Sequence, residues 1–181
     1  ATMDKTKQTE DVWGGWHDAA DWDRRDQHYA VVFDLLNAYE IAPMNFADGQ
    51  LNLPESGNGI PDILDEAAFG LEAWAKSMTP EGGVSGCVET IGHVSMDSDA
   101  PYAFSHRTRW DSLLFAAASA QLAEHLKPVA PEAAERWAGL AKKAFDFGAN
   151  PANSLGKIEI SARAERGRGA AYTVSWEEKD T

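Results

Sequence analysis

The chain has one cysteine, Cys87, among its 181 residues. An intrachain disulfide is therefore excluded, and cysteine usage says nothing about compartment; Cys87 itself reads as a small hydrophobic residue in a loop. No stretch stays apolar for the roughly 20 residues that a membrane-spanning helix needs. Basic residues are scarce: 16 Lys and Arg stand against 29 Asp and Glu, a formal net charge of −13. A surface of that sign repels phosphate backbones and anionic lipid, which argues against nucleic-acid and membrane partners, while a neutral or cationic ligand stays compatible. The first residues, Ala1 to Glu10, are polar and have no signal-peptide core, so residues 1–12 read as a polar tail or linker. Neither heptads nor a short tandem repeat occurs.

What is present suffices for one domain with its own core. Seven tryptophans are many for this length; tryptophan is first a core residue, but it also makes the flat platforms on which sugar rings stack. Four helices are predicted. The clearest is punctuated by Asn58 as a cap and Pro61 in the first turn. It carries Ile60, Ile63, Leu64, Ala67, Ala68, Leu71, Trp74, Ala75 and Met78 at the i, i+3, i+4, i+7 spacing of one apolar face. A first helix spans about Asp26 to Tyr39. A third covers about Thr108 to Leu126, with Trp110, Leu113, Leu114, Ala117, Ala118 and Leu122 as its stripe. A fourth covers about Pro131 to Gly148, with Trp137, Leu140, Ala141, Ala144 and Phe145 inward. The short link between the third and fourth makes them antiparallel neighbours. Trp74 and Trp137 belong to the core. Long Gly/Pro/Asn/Asp-rich loops, Pro43 to Gly59 and Thr79 to Ser105, are of a length usually kept for function. Weak strand alternation appears at Ile158 and Ile160 and at Tyr172, Val174 and Trp176, around a basic Arg163 to Arg168 segment. The fold class is all-α with long functional loops.

The chemically informative stretch is Gly14-Gly-Trp-His-Asp-Ala-Ala-Asp-Trp22. Asp18 and Asp21 sit three apart, separated by two alanines and flanked by Trp16, His17 and Trp22. Two carboxylates held together cannot ionise independently; one is pushed up, and the pair can orient and deprotonate a water. Two other readings stay open on spacing alone. Asp18 or Asp21 caps the first helix while the other charges are solvated, or His17, Asp18 and Asp21 ligate a divalent cation. Asp23 and Asp26 read as partners of Arg24, Arg25 or solvent.

Residues 14–22 resemble the Gly-Gly-Trp-x-Asp-Ala-Gly-Asp segment of glycoside hydrolase family nine, with Ala20 in place of a glycine. Leu53-Pro-Glu-Ser-Gly-Asn-Gly-Ile-Pro-Asp-Ile-Leu-Asp-Glu-Ala67 resembles the family's next signature, and Glu81-Gly-Gly-Val84 its Asp-Gly-Gly-Val turn. The resemblance runs from roughly Trp13 to Asn150, so residues 13–181 are expected to be part of such a catalytic domain. It implies an (α/α)6 barrel, a six-hairpin toroid, here incomplete because four helices are readable rather than twelve. It implies inverting hydrolysis of β-1,4-glucosidic bonds in cellulose or a related β-glucan, with Asp21 as general base and Asp18 assisting. Trp16, His17, Trp22, Tyr102 and His106 would contact substrate, with Glu55 and Asn58 behind them. No segment matches the family's acid-bearing motif, and Glu177 and Glu178 are in the wrong place for it. The isolated chain is therefore expected to be inactive, and its partners to be β-glucan and either the remainder of a catalytic domain or a second copy. No cofactor is implied, although a structural calcium with unknown ligands is compatible. The family implies a secreted or periplasmic location. The rivals are a non-catalytic glucan-binding or structural fragment, an exo-acting glucosaminidase-like member, and an unrelated α-helical metal-binding protein.

Overall fold

A computed structural model describes residues 3–9, 13–19, 22–23, 26–90, 102–162 and 172–178. Among them four α-helices carry the core: α1 (Tyr29–Ile41), α2 (Asp62–Ser77), α3 (Arg109–Leu126) and α4 (Pro131–Ala149). Nine short strands accompany them: β1 (Met3–Thr9), β2 (His17–Ala19), β3 (Trp22–Asp23), β4 (Val84–Ser85), β5 (Val88–Thr90), β6 (Tyr102–Ser105), β7 (Arg107–Thr108), β8 (Lys157–Ala162) and β9 (Tyr172–Glu177). Among the described residues the architecture is mostly helical, no sheet closes on itself, and the arrangement is that of an incomplete (α/α)6 toroid.

Helix α2 follows its predicted face: Ile63, Leu64, Ala67, Leu71 and Trp74 are buried. Its start differs from expectation. Pro61 flanks the helix without a side-chain cap. Asn58 is not the cap, because its carbonyl oxygen accepts from Ile60 N–H at 2.7 Å and its amide donates to both oxygens of Asp65 at 3.1 Å. The Tyr29 ring at the start of α1 stacks at 4.3 Å on Trp74 near the end of α2, which sets the two helices antiparallel.

Helix α3 begins at a side-chain cap, with Thr108 Oγ1 accepting from Asp111 N–H at 2.9 Å and donating to the Asp111 carboxylate at 2.6 Å. Its buried face is rotated from the predicted stripe. Trp110 is 52% exposed and Ala117 is also outside, while Ser112, Phe115, Ala116, Ser119 and Ala123 face inward. The reason is crowding: α3 packs against α1, α2 and α4 together, and small side chains let three neighbours approach. Helices α3 and α4 are antiparallel as expected. The Arg109 guanidinium at the start of α3 donates to the Gly148 carbonyl at the end of α4, 2.8 Å away, and a Cβ on Gly148 would lie 2.6 Å from Leu113. On α4, Ala134, Trp137, Ala141 and Ala144 are buried, but Phe145 is 56% exposed and lies off the stripe assigned to it.

The second long loop is not structureless, because it holds β4, β5 and β6. Strands β1-β6-β5-β3-β2 form one antiparallel sheet in that order, and β4 pairs with β7. Residues 3–9, within the segment read as a polar tail, lie beside β6. The late alternation resolves as the β8–β9 hairpin, with Ile158 opposite Trp176 and Ile160 opposite Val174. Glu178 ties this hairpin to the helices, its two oxygens accepting from Arg109 N–H and Leu155 N–H at 2.7 Å each. The basic segment 163–168 lies outside the described residues.

Candidate active site

The first signature opens with two glycines at φ 86° and 72°, a left-handed conformation that side chains resist. This turn lays the chain along α2. Gly15 N–H donates to the Phe69 carbonyl at 2.8 Å, and a Cβ on Gly14 would lie 2.7 Å from Glu72 Cβ. The Trp16 indole N–H donates to Glu66 Oε1 at 2.7 Å, and its six-membered ring covers Gly70 so closely that a Cβ there would sit 2.3 Å from it. The His28 ring meets Trp16 edge-on at 6.3 Å, and the Lys76 ammonium lies 4.9 Å over the Trp13 ring. Residues 13–16 are thus held along one stripe of α2 running from Glu66 to Lys76.

Immediately beyond, β2 and β3 form a hairpin with His17 opposite Asp23 and Ala19 opposite Trp22. Asp23 in turn faces Val88 of β5, which faces Phe104 of β6; two residues on, Thr90 faces Tyr102. The backbones of His17, Asp18, Trp22 and Tyr102 therefore belong to one sheet, with β5 between the hairpin and β6. Asp21 lies outside the described residues. His106, half-buried, joins β6 to β7. Among the described residues no group of three His, Cys, Asp or Glu is placed to hold a metal ion, and no helix is long and apolar enough to cross a membrane.

The second signature builds a loop rather than a cap. The Asp48 carboxylate accepts from Gly57 N–H and Gly59 N–H at 2.6 Å each. Asp62 accepts from the backbone N–H groups of Leu51 and Gly49 and from the Ser56 hydroxyl. Burial pushes the Asp62 carboxyl up, but those backbone amides and the Ser56 hydroxyl outweigh it and hold the group below its ordinary value. Asp65 goes the other way. Burial raises it to about 6, with the neighbouring carboxylates of Glu55, Asp62 and Asp48 adding to the effect against the opposing Asn58 amide. Glu55 is exposed. The Glu81–Val84 turn seats against α4: Gly82, at φ 101°, would bring a Cβ to 2.2 Å from the Lys143 carbonyl oxygen.

The residue that sequence reasoning missed is Glu66. It lies inside the second signature, and its partner Trp16 lies inside the first, 50 positions earlier. The co-occurrence of both signatures was the available signal, but no spacing rule pairs these two side chains.

No protein-family model matches the chain. Endoglucanase C of Cellulomonas fimi is 36% identical over 140 residues, which cover 69% of this chain and 13% of that protein. The cellulose 1,4-beta-cellobiosidase of Acetivibrio thermocellus is 40% identical over 81 residues, 40% of this chain and 9% of its own length. A solved metagenome-derived glycoside hydrolase family 9 endoglucanase superposes with a TM-score of 0.65 at 38% identity, over 75% of this chain and 26% of that one. The matched part of this chain belongs to glycoside hydrolase family nine. Within that family the chain spans a small share of its relatives' length, at most about a quarter of those named here.

Proposed function

We propose that this chain forms the water-activating side of the cleft in a β-1,4-glucan hydrolase that works by inverting single displacement. The observation carrying the reading is the Gly14–Trp22 signature, laid along α2 and leading into the β2–β3 hairpin, in a chain whose relatives are named endoglucanases and a cellobiosidase. In this scheme Asp21 takes the proton of the attacking water while Asp18 holds that water and keeps its neighbour's charge in check. Trp16, His17, Trp22, Tyr102 and His106 border the sugar-binding face. The substrate class is cellulose or a related β-glucan, handled outside the cytoplasm in a secreted or periplasmic setting.

Inversion needs a second carboxyl across the scissile bond, about 6.5–9.5 Å away, to protonate the leaving oxygen. Asp18 and Asp21 are too close in sequence to straddle a sugar ring. Glu178 has both oxygens engaged by backbone amides of α3 and the Ser154–Gly156 bend, which suits a structural clamp. We therefore assign the general acid to a part of the enzyme beyond these 181 residues. That remainder, or a second copy, would cover apolar side chains such as Trp110 and Phe145. In an enzyme containing both halves, Asp21→Asn is expected to cut turnover about a hundred- to ten-thousand-fold while oligosaccharide binding persists. Retention of more than about a tenth of the rate would move the base to another residue. Purified alone on cello-oligosaccharides, the chain should give no α-anomer product by NMR. Turnover lost on replacing a glutamate of this chain would show that the acid is present after all.

A further inference from the structure

We propose that Glu66 and Gly70 of α2 are positioning residues for Asp18: together they seat the Trp16 indole and thereby hold the start of β2. The proposal rests on the reading of Asp18 as half of the water-activating pair. Three consecutive residues are pinned before that strand begins. Gly14 meets α2 with no room for a Cβ, Gly15 gives its N–H to the Phe69 carbonyl at 2.8 Å, and Trp16 gives its indole N–H to Glu66 at 2.7 Å. Because the indole N–H must point at its acceptor, this contact fixes the rotation of the ring. Gly70 sets the depth, because the ring stands where a Cβ would be 2.3 Å away.

Strand β2 starts at the next residue, His17, and Asp18 follows it. Two residues of extended chain span about 7 Å, which leaves no slack to absorb a displaced indole. On the far side, among the described residues β2 pairs with β3 alone, through His17 opposite Asp23 and Ala19 opposite Trp22, which places it at the edge of the sheet. The seat on α2 is the other constraint. Catalytic groups need placement within a fraction of an ångström, and that precision comes from neighbours whose own positions are locked.

The test uses the 181-residue chain labelled with 15N-tryptophan and 13C-aspartate, in wild type and as Glu66→Ala, Glu66→Gln and Gly70→Ala. The Trp16 indole signal is assigned with Trp16→Phe and the Asp18 carboxyl with Asp18→Asn. Expected for Glu66→Ala is exchange of the Trp16 indole proton faster by about tenfold or more, with a displaced Asp18 titration midpoint. Glu66→Gln keeps an oxygen acceptor and should restore both. Gly70→Ala exchanges a poor helix former for the best one, so α2 should persist by circular dichroism while the ring, and Asp18 with it, moves. If the indole signal moves in Glu66→Ala and Gly70→Ala while the Asp18 titration matches wild type, the positioning role is overturned. Turnover of cellopentaose by an enzyme containing both halves separates this from the underlying reading. If Asp18 shifts in Glu66→Ala while Asp18→Asn and Asp21→Asn leave that turnover unchanged, the link between α2 and Asp18 stands and the hydrolase assignment falls.

Discussion

Glycines serve different ends in the two signature regions. Along residues 13–16 the glycine backbone is pressed on α2, where a Cβ on Gly14 would overlap Glu72 and the Phe69 carbonyl. Around residues 47–61, Gly49, Gly57 and Gly59 are also at positive φ, yet nothing lies within 4 Å of where their Cβ atoms would be. The first region needs glycine for close approach and conformation together; the second needs conformation alone. Their acids differ in the same way. Asp48 and Asp62 have their carboxylates engaged by loop amides, which makes the second signature a scaffold, whereas its Glu66 reaches out to the first signature.

The largest effect expected from this contrast is at Gly14. An alanine there meets the left-handed penalty of about 1–2 kcal/mol and an overpacking cost of about 1–3 kcal/mol. Gly49→Ala meets only the first. Urea denaturation of the two variants should place Gly14→Ala below Gly49→Ala by at least about 1 kcal/mol. Equal losses would mean that the 13–16 strip does not rest on α2 in solution.

Next in size is Asp48→Ala, which removes the acceptor for two backbone N–H groups near the loop surface. Charged acceptors contribute about 1.5–3 kcal/mol when buried; for a solvent-facing loop about 1 kcal/mol is expected. The sharper readout is limited proteolysis, with cleavage appearing between residues 47 and 61 while α2 stays intact. Unchanged protease resistance would show that the glycine turns hold the loop without the carboxylate.

The same contrast explains what could be seen from sequence. Helix α2 was legible because apolar residues such as Ile63, Leu64, Ala67, Leu71 and Trp74 repeat at helical spacing and are the ones buried. The inward face of α3 was not, since small Ala and Ser residues line it while the larger Trp110 points out; hydrophobicity ranks bulk, and a crowded helix selects against bulk. The five-stranded sheet was missed except as loops, because strands of two to four residues give no window in which alternation can register. Of the site, the backbones of His17, Asp18, Trp22 and Tyr102 do share a sheet, but that depends on β5 intervening, and the Trp16–Glu66 contact spans 50 positions. Neither is a local property of the chain.

The remaining expected effect is the one with the clearest direction. Asp65 sits in the first turn of α2, where a helix N-terminus would ordinarily favour its charge, yet burial and the carboxylates of Glu55, Asp62 and Asp48 raise it to about 6 against the Asn58 amide. Its folded value lies above the ordinary 3.8, so the folded state holds this proton more tightly than the unfolded chain does. Its contribution to stability is complete below about pH 4 and is lost as the pH rises through about 6. Asp62, held below its ordinary value, acts oppositely and withdraws stability only as the pH falls below about 4. Asp65→Asn removes the first effect while its carbonyl oxygen can still accept from Asn58. After discounting for solvent screening, the gain at pH 7.5 is about 1 kcal/mol, a rise in Tm of about 2–4 °C over wild type, shrinking towards zero at pH 4. Thermal melts of both proteins at half-unit steps from pH 4 to 8 decide it. A variant destabilised equally at every pH would mean that folding leaves the proton affinity of Asp65 unchanged, with the Asn58–Asp65 contact worth as much ionised as protonated.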